Sequence, residues 1–138
     1  MPQSIGELMS RDPITCPPDA AIRAAAELMR DRDTGDVVVV EGDEVRGIVT
    51  DRDITVRAVA DGQGPDTPLS DVLTGRVVTV APDDRVEKVV DLMREHAVRR
   101  IPVVEGGRLA GVISIGDLAI ERDSDSALAD ISAARENS

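Results

Sequence analysis

Apolar residues recur with helical spacing in two segments of the chain, 64 positions apart. In the later segment they follow the i, i+3, i+4, i+7 pattern of a single helix face: Val86, Val89, Val90 and Met93. The earlier segment repeats this stripe with smaller side chains: Ile22, Ala25, Ala26 and Met29. The spacing therefore predicts two amphipathic helices, each burying one apolar face.

Four runs rich in β-branched residues predict strands at 37–40, 45–49, 101–104 and 109–113. The glycine-containing segments 41–44 and 105–108 join these runs in pairs and are typical of hairpin turns. Because the strands are continuously apolar rather than alternating, we expect both of their faces to be covered.

Two shorter strands are predicted at 14–16 and 77–80, each stopping at a proline. Asp19 and Asp83 follow these prolines, and we expect their carboxylates to cap the two helices by accepting backbone N–H bonds of the first turn. Each half of the chain is thus predicted to have the order β-α-β-β-α.

The two halves are copies of one another. A shift of 64 positions places residues 5–54 over 69–118 without a gap. The register preserves glycine, proline and aspartate positions: Gly47-Ile48-Val49-Thr50 falls on Gly111-Val112-Ile113-Ser114, and Asp53 falls on Asp117. The chain is therefore an internal duplication.

This duplication sets the expected domain organisation. Residues 1–60 form the first repeat, 61–68 a Gly/Pro-rich linker, 69–122 the second repeat and 123–138 a polar, alanine-rich tail. A single copy of this size is marginally stable alone, so we expect the two to pack about a pseudo-two-fold axis. The fold class expected is α/β, in the α+β sense.

Composition and charge exclude several classes of function. The 138 residues include no Phe, Tyr or Trp, which excludes an aromatic cage and a base-stacking platform. A net charge of −11 disfavours nucleic-acid binding. No apolar run is long enough to span a membrane, and the N-terminal sequence has no signal-peptide pattern. A cytoplasmic protein is expected.

Catalytic and metal sites are not indicated. The single histidine, His96, and the single cysteine, Cys16, provide neither a dyad nor a metal-ligand cluster, and Cys16 is expected in the core. Residues 31–42 resemble a calcium loop but have Asp36 and Gly42 where Gly and Glu are required. Residues 62–64 lack the third glycine of a dinucleotide fingerprint. We expect no enzymatic activity and no required cofactor.

The strongest chemical signal lies where each second hairpin strand becomes a helix. Thr50 and Asp53 in one copy correspond to Ser114 and Asp117 in the other. A carboxylate there can accept both vicinal hydroxyls of a ribose, and the hydroxyl side chain with the helix start favours phosphate. Thr/Ser-x-x-Asp is also a capping box that merely begins a helix, and the two roles are compatible.

The duplicated unit resembles a tandem pair of CBS (cystathionine β-synthase) domains. The resemblance rests on the Gly-hydrophobic-hydrophobic-Thr/Ser-x-x-Asp ending of both copies and on the strand Arg-Arg-Ile-Pro-Val-Val beginning at Arg99, and it covers residues 3–122. It implies binding of an adenosine-containing ligand (AMP, ADP, ATP, an NAD-type cofactor or S-adenosylmethionine) in two symmetric clefts between the repeats. It also implies a homodimer.

The resemblance further implies that Arg99 and Arg100 face a phosphate, for which an arginine fork is suited. A solvated strand end is the alternative. The first copy has Gly35 and Asp36 at these positions, so we expect the two clefts to be unequal. Arg52 is a third candidate, although a surface ion pair explains it equally well.

An adenine ring needs a flat apolar slot with backbone donors and acceptors at its rim. The positions that match such a slot in the two copies are Thr15, Thr79, Val38 and Pro102. Each of these residues, taken singly, is better explained as part of the core.

Together these observations favour a regulatory, energy- or metabolite-sensing module that binds an adenosine-containing ligand and acts on a protein target that the sequence does not identify. The alternative is a ligand-free dimeric interaction protein, supported by the acidic surface and the alanine-rich tail.

Overall fold

A computed structural model describes residues 4–73 and 77–122, with side chains described as far as residue 119. The elements run in the following order: α1 (Ile5–Leu8), β1 (Thr15–Cys16), α2 (Ile22–Arg32), β2 (Asp36–Glu41), β3 (Glu44–Thr50), α3 (Asp51–Asp53) continued by a π-helix (Ile54–Val59), a 3-10 turn (Leu69–Asp71), α4 (Val86–His96), β4 (Arg100–Glu105), β5 (Arg108–Ser114) and α5 (Ile115–Arg122). The mixture of helices and strands confirms the α+β class.

The described chain divides into two compact units. The Asp53 unit contains residues 14–73 and Val77, and the Asp117 unit contains residues 4–13 and 78–122. The N-terminal segment with α1 therefore belongs to the unit built from the second repeat, while the residues around Leu69 belong to the unit built from the first.

In the Asp53 unit the sheet order is β1-β2-β3, with β1 parallel and β3 antiparallel to β2. In the Asp117 unit β4 and β5 form the same antiparallel hairpin, and Val80 makes a single parallel bridge to Val103 in place of a longer strand. Both hairpins have an irregularity at the equivalent step, between Val39 and Val40 and between Val103 and Val104. The predicted hairpins are thus confirmed.

Each unit has its own aliphatic core beneath the sheet. That of the Asp53 unit consists of Cys16, Ile22, Ala25, Met29, Val37, Val39, Val49, Ala58, Leu69 and Val72. That of the Asp117 unit consists of Ile5, Met9, Val80, Val86, Val89, Met93, Ile101, Val103, Ile113 and Leu118. Ile5 and Leu69 are equivalent in the duplication, and both are completely buried. The predicted burial of Cys16 is confirmed, whereas Ala26 is exposed.

The prediction that Asp19 and Asp83 cap the helices is wrong. The N-cap residues are Ala21 for α2 and Arg85 for α4, and neither makes a side-chain capping bond. At α2, backbone carbonyls satisfy the first donors instead: Ile22 N donates to Thr67 O (2.8 Å) and Arg23 N to Pro65 O (3.1 Å).

A different aspartate organises the turn before α4. Asp84 Oδ2 accepts a hydrogen bond from Ala81 N at 2.8 Å and another from Lys88 Nζ at 3.2 Å. The carboxylate therefore closes the turn rather than the helix, and these hydrogen bonds lower the pKa of Asp84.

No helix in the described ranges is long and apolar enough to cross a membrane.

Replacing Ile5 with Ala should test the contribution of the N-terminal segment to the Asp117 unit. Because the side chain is completely buried in an aliphatic core, we expect the free energy of unfolding to fall by about 2–5 kcal/mol in urea titrations. The control is Val59→Ala, at a side chain 63% exposed, which should change it by less than about 0.5 kcal/mol. Equal, small effects of both substitutions would show that the segment is not part of the core.

Candidate functional site

The first candidate site is the junction of β3 and α3. Thr50 is the N-cap residue, and its Oγ1 accepts a hydrogen bond from Asp53 N at 3.1 Å. In return Asp53 Oδ2 accepts one from Thr50 N at 2.9 Å. This reciprocal pair is a capping box, which fixes the direction in which the chain leaves the strand.

The junction of β5 and α5 has the same geometry. Ser114 Oγ accepts from Asp117 N at 3.1 Å, and Asp117 Oδ2 accepts from Ser114 N at 2.9 Å. Ser114 is buried, with 8% of its surface exposed. The capping interpretation is therefore confirmed in both copies. Since each cap uses one carboxylate oxygen, the second oxygen remains available for another role.

The surroundings of the two carboxylates differ. Asp53 Oδ1 lies 3.6 Å from Arg57 Nε, four residues along the helix. Asp117 instead lies near enough to Arg100 for that positive charge to act on its titration. Burial nevertheless dominates and raises the pKa of Asp117, while the Ser114 hydrogen bonds and the Arg100 charge oppose the shift.

A cavity of about 190 Å³ opens beside the Asp117 cap. Its lining combines two arginines with the start of α5: Arg99, Arg100, Ser114, Ile115 and Gly116. Arg99 is exposed and Arg100 is half-buried, with its Nε atom fully buried. The backbone of Arg99 is fixed, because its carbonyl accepts a hydrogen bond from Ile115 N at 2.9 Å. The structure thus brings both predicted arginines to the residues of the cap.

The equivalent position in the Asp53 unit has the same backbone and a different charge. Gly35 O accepts a hydrogen bond from Asp51 N at 2.9 Å, as Arg99 O does from Ile115 N. Asp36 pairs with Thr50 across the hairpin, as Arg100 pairs with Ser114. The Asp51 carboxylate lies so close to Gly35 that a Cβ atom there would be 3.3 Å from Oδ2. Carboxylates therefore occupy the place that the Asp117 unit gives to arginines.

Arg52 is exposed, and its backbone N donates to Asp51 Oδ1 at 2.8 Å. The i,i+4 ion pair considered for it is made instead by Arg57 with Asp53. That spacing is visible in the sequence, so the pair could have been found by testing every charge on the helix face. The cavity positions Ile115 and Gly116 gave no such signal.

The four predicted adenine-slot residues form two matched pairs. Thr15 is exposed and is the register partner of Val38, while Val80, next to the exposed Thr79, donates its N–H to Pro102 O at 3.1 Å. Val38 and Pro102 are buried yet belong to neither aliphatic cluster. Because side chains alternate along a strand, they lie on the sheet face opposite the core of their unit. Their part in an adenine slot stays a prediction.

Among the residues that the structure describes, no group of three His, Cys, Asp or Glu side chains is placed to hold a metal ion.

Comparison with known proteins decides the family. The model of the CBS domain matches this chain twice, over residues 5–59 and 65–123. The chain belongs to the CBS-domain family. Its likeness to a CBS domain-containing protein of Bacillus subtilis, YhcV, is 36% identity over 133 residues, covering 94% of this chain and 95% of that protein.

Solved structures agree with the CBS assignment. A CBS-domain protein from Burkholderia ambifaria superposes with a TM-score of 0.82 at 30% identity, covering 90% of this chain and 96% of that one. A hexameric CBS-CP12 protein from bloom-forming cyanobacteria gives a TM-score of 0.81 at 30% identity, covering 89% and 70%. The chain is therefore a CBS-domain pair, a class that is typically regulatory.

The two perturbed carboxyls should give opposite pH dependences of stability. The folded-state pKa of Asp117 is raised above 3.8, so its ionisation weakens the fold as the pH rises from that value through the folded pKa. The pKa of Asp84 is lowered below 3.8, so its stabilising contribution is present above that value and is lost as the pH falls through the folded pKa.

Urea titrations between pH 2.5 and 7 measure both effects. The free energy of unfolding of Asp117→Asn, relative to the unsubstituted protein, should increase as the pH rises. The same difference for Asp84→Asn should decrease. Parallel pH profiles for all three proteins would contradict these assignments.

Proposed function

We propose that this CBS pair is a regulatory module that binds an adenosine-containing ligand through the carboxylates of its capping boxes. The observation that supports the proposal most directly is the geometry of Asp117. Its Oδ2 is engaged by Ser114 N, which holds the carboxylate in one orientation. Within the described residues Oδ1 has no hydrogen-bond partner, so it can accept ribose hydroxyls as charge-assisted bonds.

The phosphate-binding part of the proposal rests on the arginine-lined cavity. Arg99 and Arg100 lie at the start of β4, beside the residues of the Asp117 cap. A guanidinium presents several N–H donors in one plane and matches the oxygens of a phosphate. A ribose at Asp117 with its 5′-substituent directed to this cavity would use both features. Ser114 and, in the other unit, Thr50 then orient the ribose or phosphate.

Adenine is proposed to lie against the sheet near Thr15 and Val38 in one unit and near Thr79 and Pro102 in the other. Strand ends supply backbone donors and acceptors at these positions, and Val38 and Pro102 offer aliphatic surfaces. With no aromatic residue in the chain, aliphatic contacts are the means by which the ring is held.

Regulation follows from the same contacts. A ligand shifts a conformational equilibrium only as far as its affinities for the two states differ. In this proposal the chain is a non-catalytic, cytoplasmic homodimer, and ligand occupancy alters its shape or its assembly with a protein target. Val56 and Val59, exposed on the π-helix by 49% and 63%, support self-association.

The same two valines also favour the alternative, a dimeric interaction protein that needs no ligand. Ligand-dependent stability separates the two candidate functions.

Thermal melts of the full chain with AMP, ADP, ATP, NADH and S-adenosylmethionine test the proposal. A ligand at a hundredfold excess over its Kd stabilises the folded state by about 2.7 kcal/mol, so we expect at least one of the five to raise Tm by several degrees. If none shifts Tm while a protein partner is retained in pull-down, the interaction protein is the better account.

Neutralising the carboxylates tests the ribose contact itself. Asp117→Asn keeps an oxygen that can accept the Ser114 N–H bond but removes the charge. We expect at least a tenfold loss of affinity, by calorimetry, for the ligand that shifts Tm. Asp83→Asn, an exposed aspartate of the same unit, is the matched control. Unchanged affinity in both Asp53→Asn and Asp117→Asn would refute the ribose-binding role.

A further inference from the structure

The two junctions share a backbone arrangement but differ in charge. At the Asp117 junction, positions 99, 100 and 114–117 contain two arginines and one aspartate. At the Asp53 junction, the equivalent positions 35, 36 and 50–53 contain three aspartates and one arginine. The duplication therefore preserved the cap and reversed the sign of the charge beside it.

The reversal is built into the packing and is not confined to flexible side-chain ends. Arg100 is half-buried, and its charge reaches the Asp117 carboxyl. Asp36 is likewise half-buried at the matched position of β2. Asp51 is held against Gly35 on one side and against the N–H of Arg52 on the other. A phosphate placed here would face fixed carboxylates at short range, where repulsion is weakly screened.

The nearby cation of the Asp53 unit does not compensate for this difference. Arg57 is directed at Asp53 Oδ1, the oxygen that the cap leaves available. A ribose at Asp53 would have to compete with that ion pair, whereas within the described residues Asp117 Oδ1 has no hydrogen-bond partner.

We propose that the chain binds one phosphate-bearing adenosine ligand, in the Asp117 unit, and that the Asp53 unit rejects the phosphate. This inference rests on the proposed function and adds its stoichiometry and its ligand class. The selectivity comes from Arg99 and Arg100, whose places are taken by Gly35 and Asp36 in the other copy.

AMP and adenosine are the probes, because they differ only in the phosphate. Calorimetric titration of the full chain should give one AMP per chain, bound at least tenfold more tightly than adenosine. Arg100→Ala should abolish this preference by weakening AMP binding and leaving adenosine unaffected. Asp36→Ala, the matched substitution in the other unit, should leave one AMP per chain because it supplies no arginine. Arg99→Ala, at an exposed side chain, tests the same cavity if Arg100→Ala does not fold.

Two results would overturn the inference while leaving the proposed function intact: two AMP molecules per chain, or a preference for AMP that persists in Arg100→Ala and in Arg99→Ala. Failure of both probes to bind would overturn the inference. If the Tm of the protein also responds to none of the five ligands, the proposed function fails with it.

Discussion

Two carboxylates, those of Asp53 and Asp117, each accept a hydrogen bond from the backbone N–H of the residue that ends a strand. Each aspartate also donates its own N–H to the hydroxyl of that residue. This reciprocal constraint sets the angle between the last strand of a unit and the helix that follows it. Everything proposed about ligand binding depends on it, because it presents a second carboxylate oxygen in a fixed direction at the sheet edge.

Duplication explains why the constraint occurs twice and why its consequences differ. The capping residues are repeated because every copy must turn from a strand into a helix. The residues at the start of the preceding hairpin strand are not under that requirement, so Arg100 in one copy can stand opposite Asp36 in the other. The backbone therefore specifies where a ligand could bind, while the local charge selects which ligand is accepted.

Short-range patterns made much of the fold predictable from the sequence. The hairpins follow from apolar runs joined by glycine turns, and the capping boxes follow from Thr/Ser-x-x-Asp at the strand ends. The helix caps expected at Asp19 and Asp83 were wrong because Thr67 and Pro65, distant in sequence, supply carbonyls to α2. Such long-range backbone contacts leave no local pattern.

The candidate site was predictable to a similar extent. Arg99 and Arg100 could be singled out because a family motif contains them, and the structure places them beside the Asp117 cap. The ion pair of Arg57 with Asp53 was overlooked although its i,i+4 spacing was visible, since several charges on that helix compete for partners. The lining by Ile115 and Gly116 depends on how α5 leaves the sheet, which only the folded structure shows.

The absence of Phe, Tyr and Trp permits a direct test of ligand binding. The chain itself has almost no absorbance near 260 nm, where adenine absorbs, so equilibrium dialysis can be read from the spectrum on the two sides of the membrane. With AMP, ATP, NADH and S-adenosylmethionine dialysed separately, we expect at least one to show a saturable excess on the protein side. Equal absorbance on both sides for all four, at every concentration, would contradict the account.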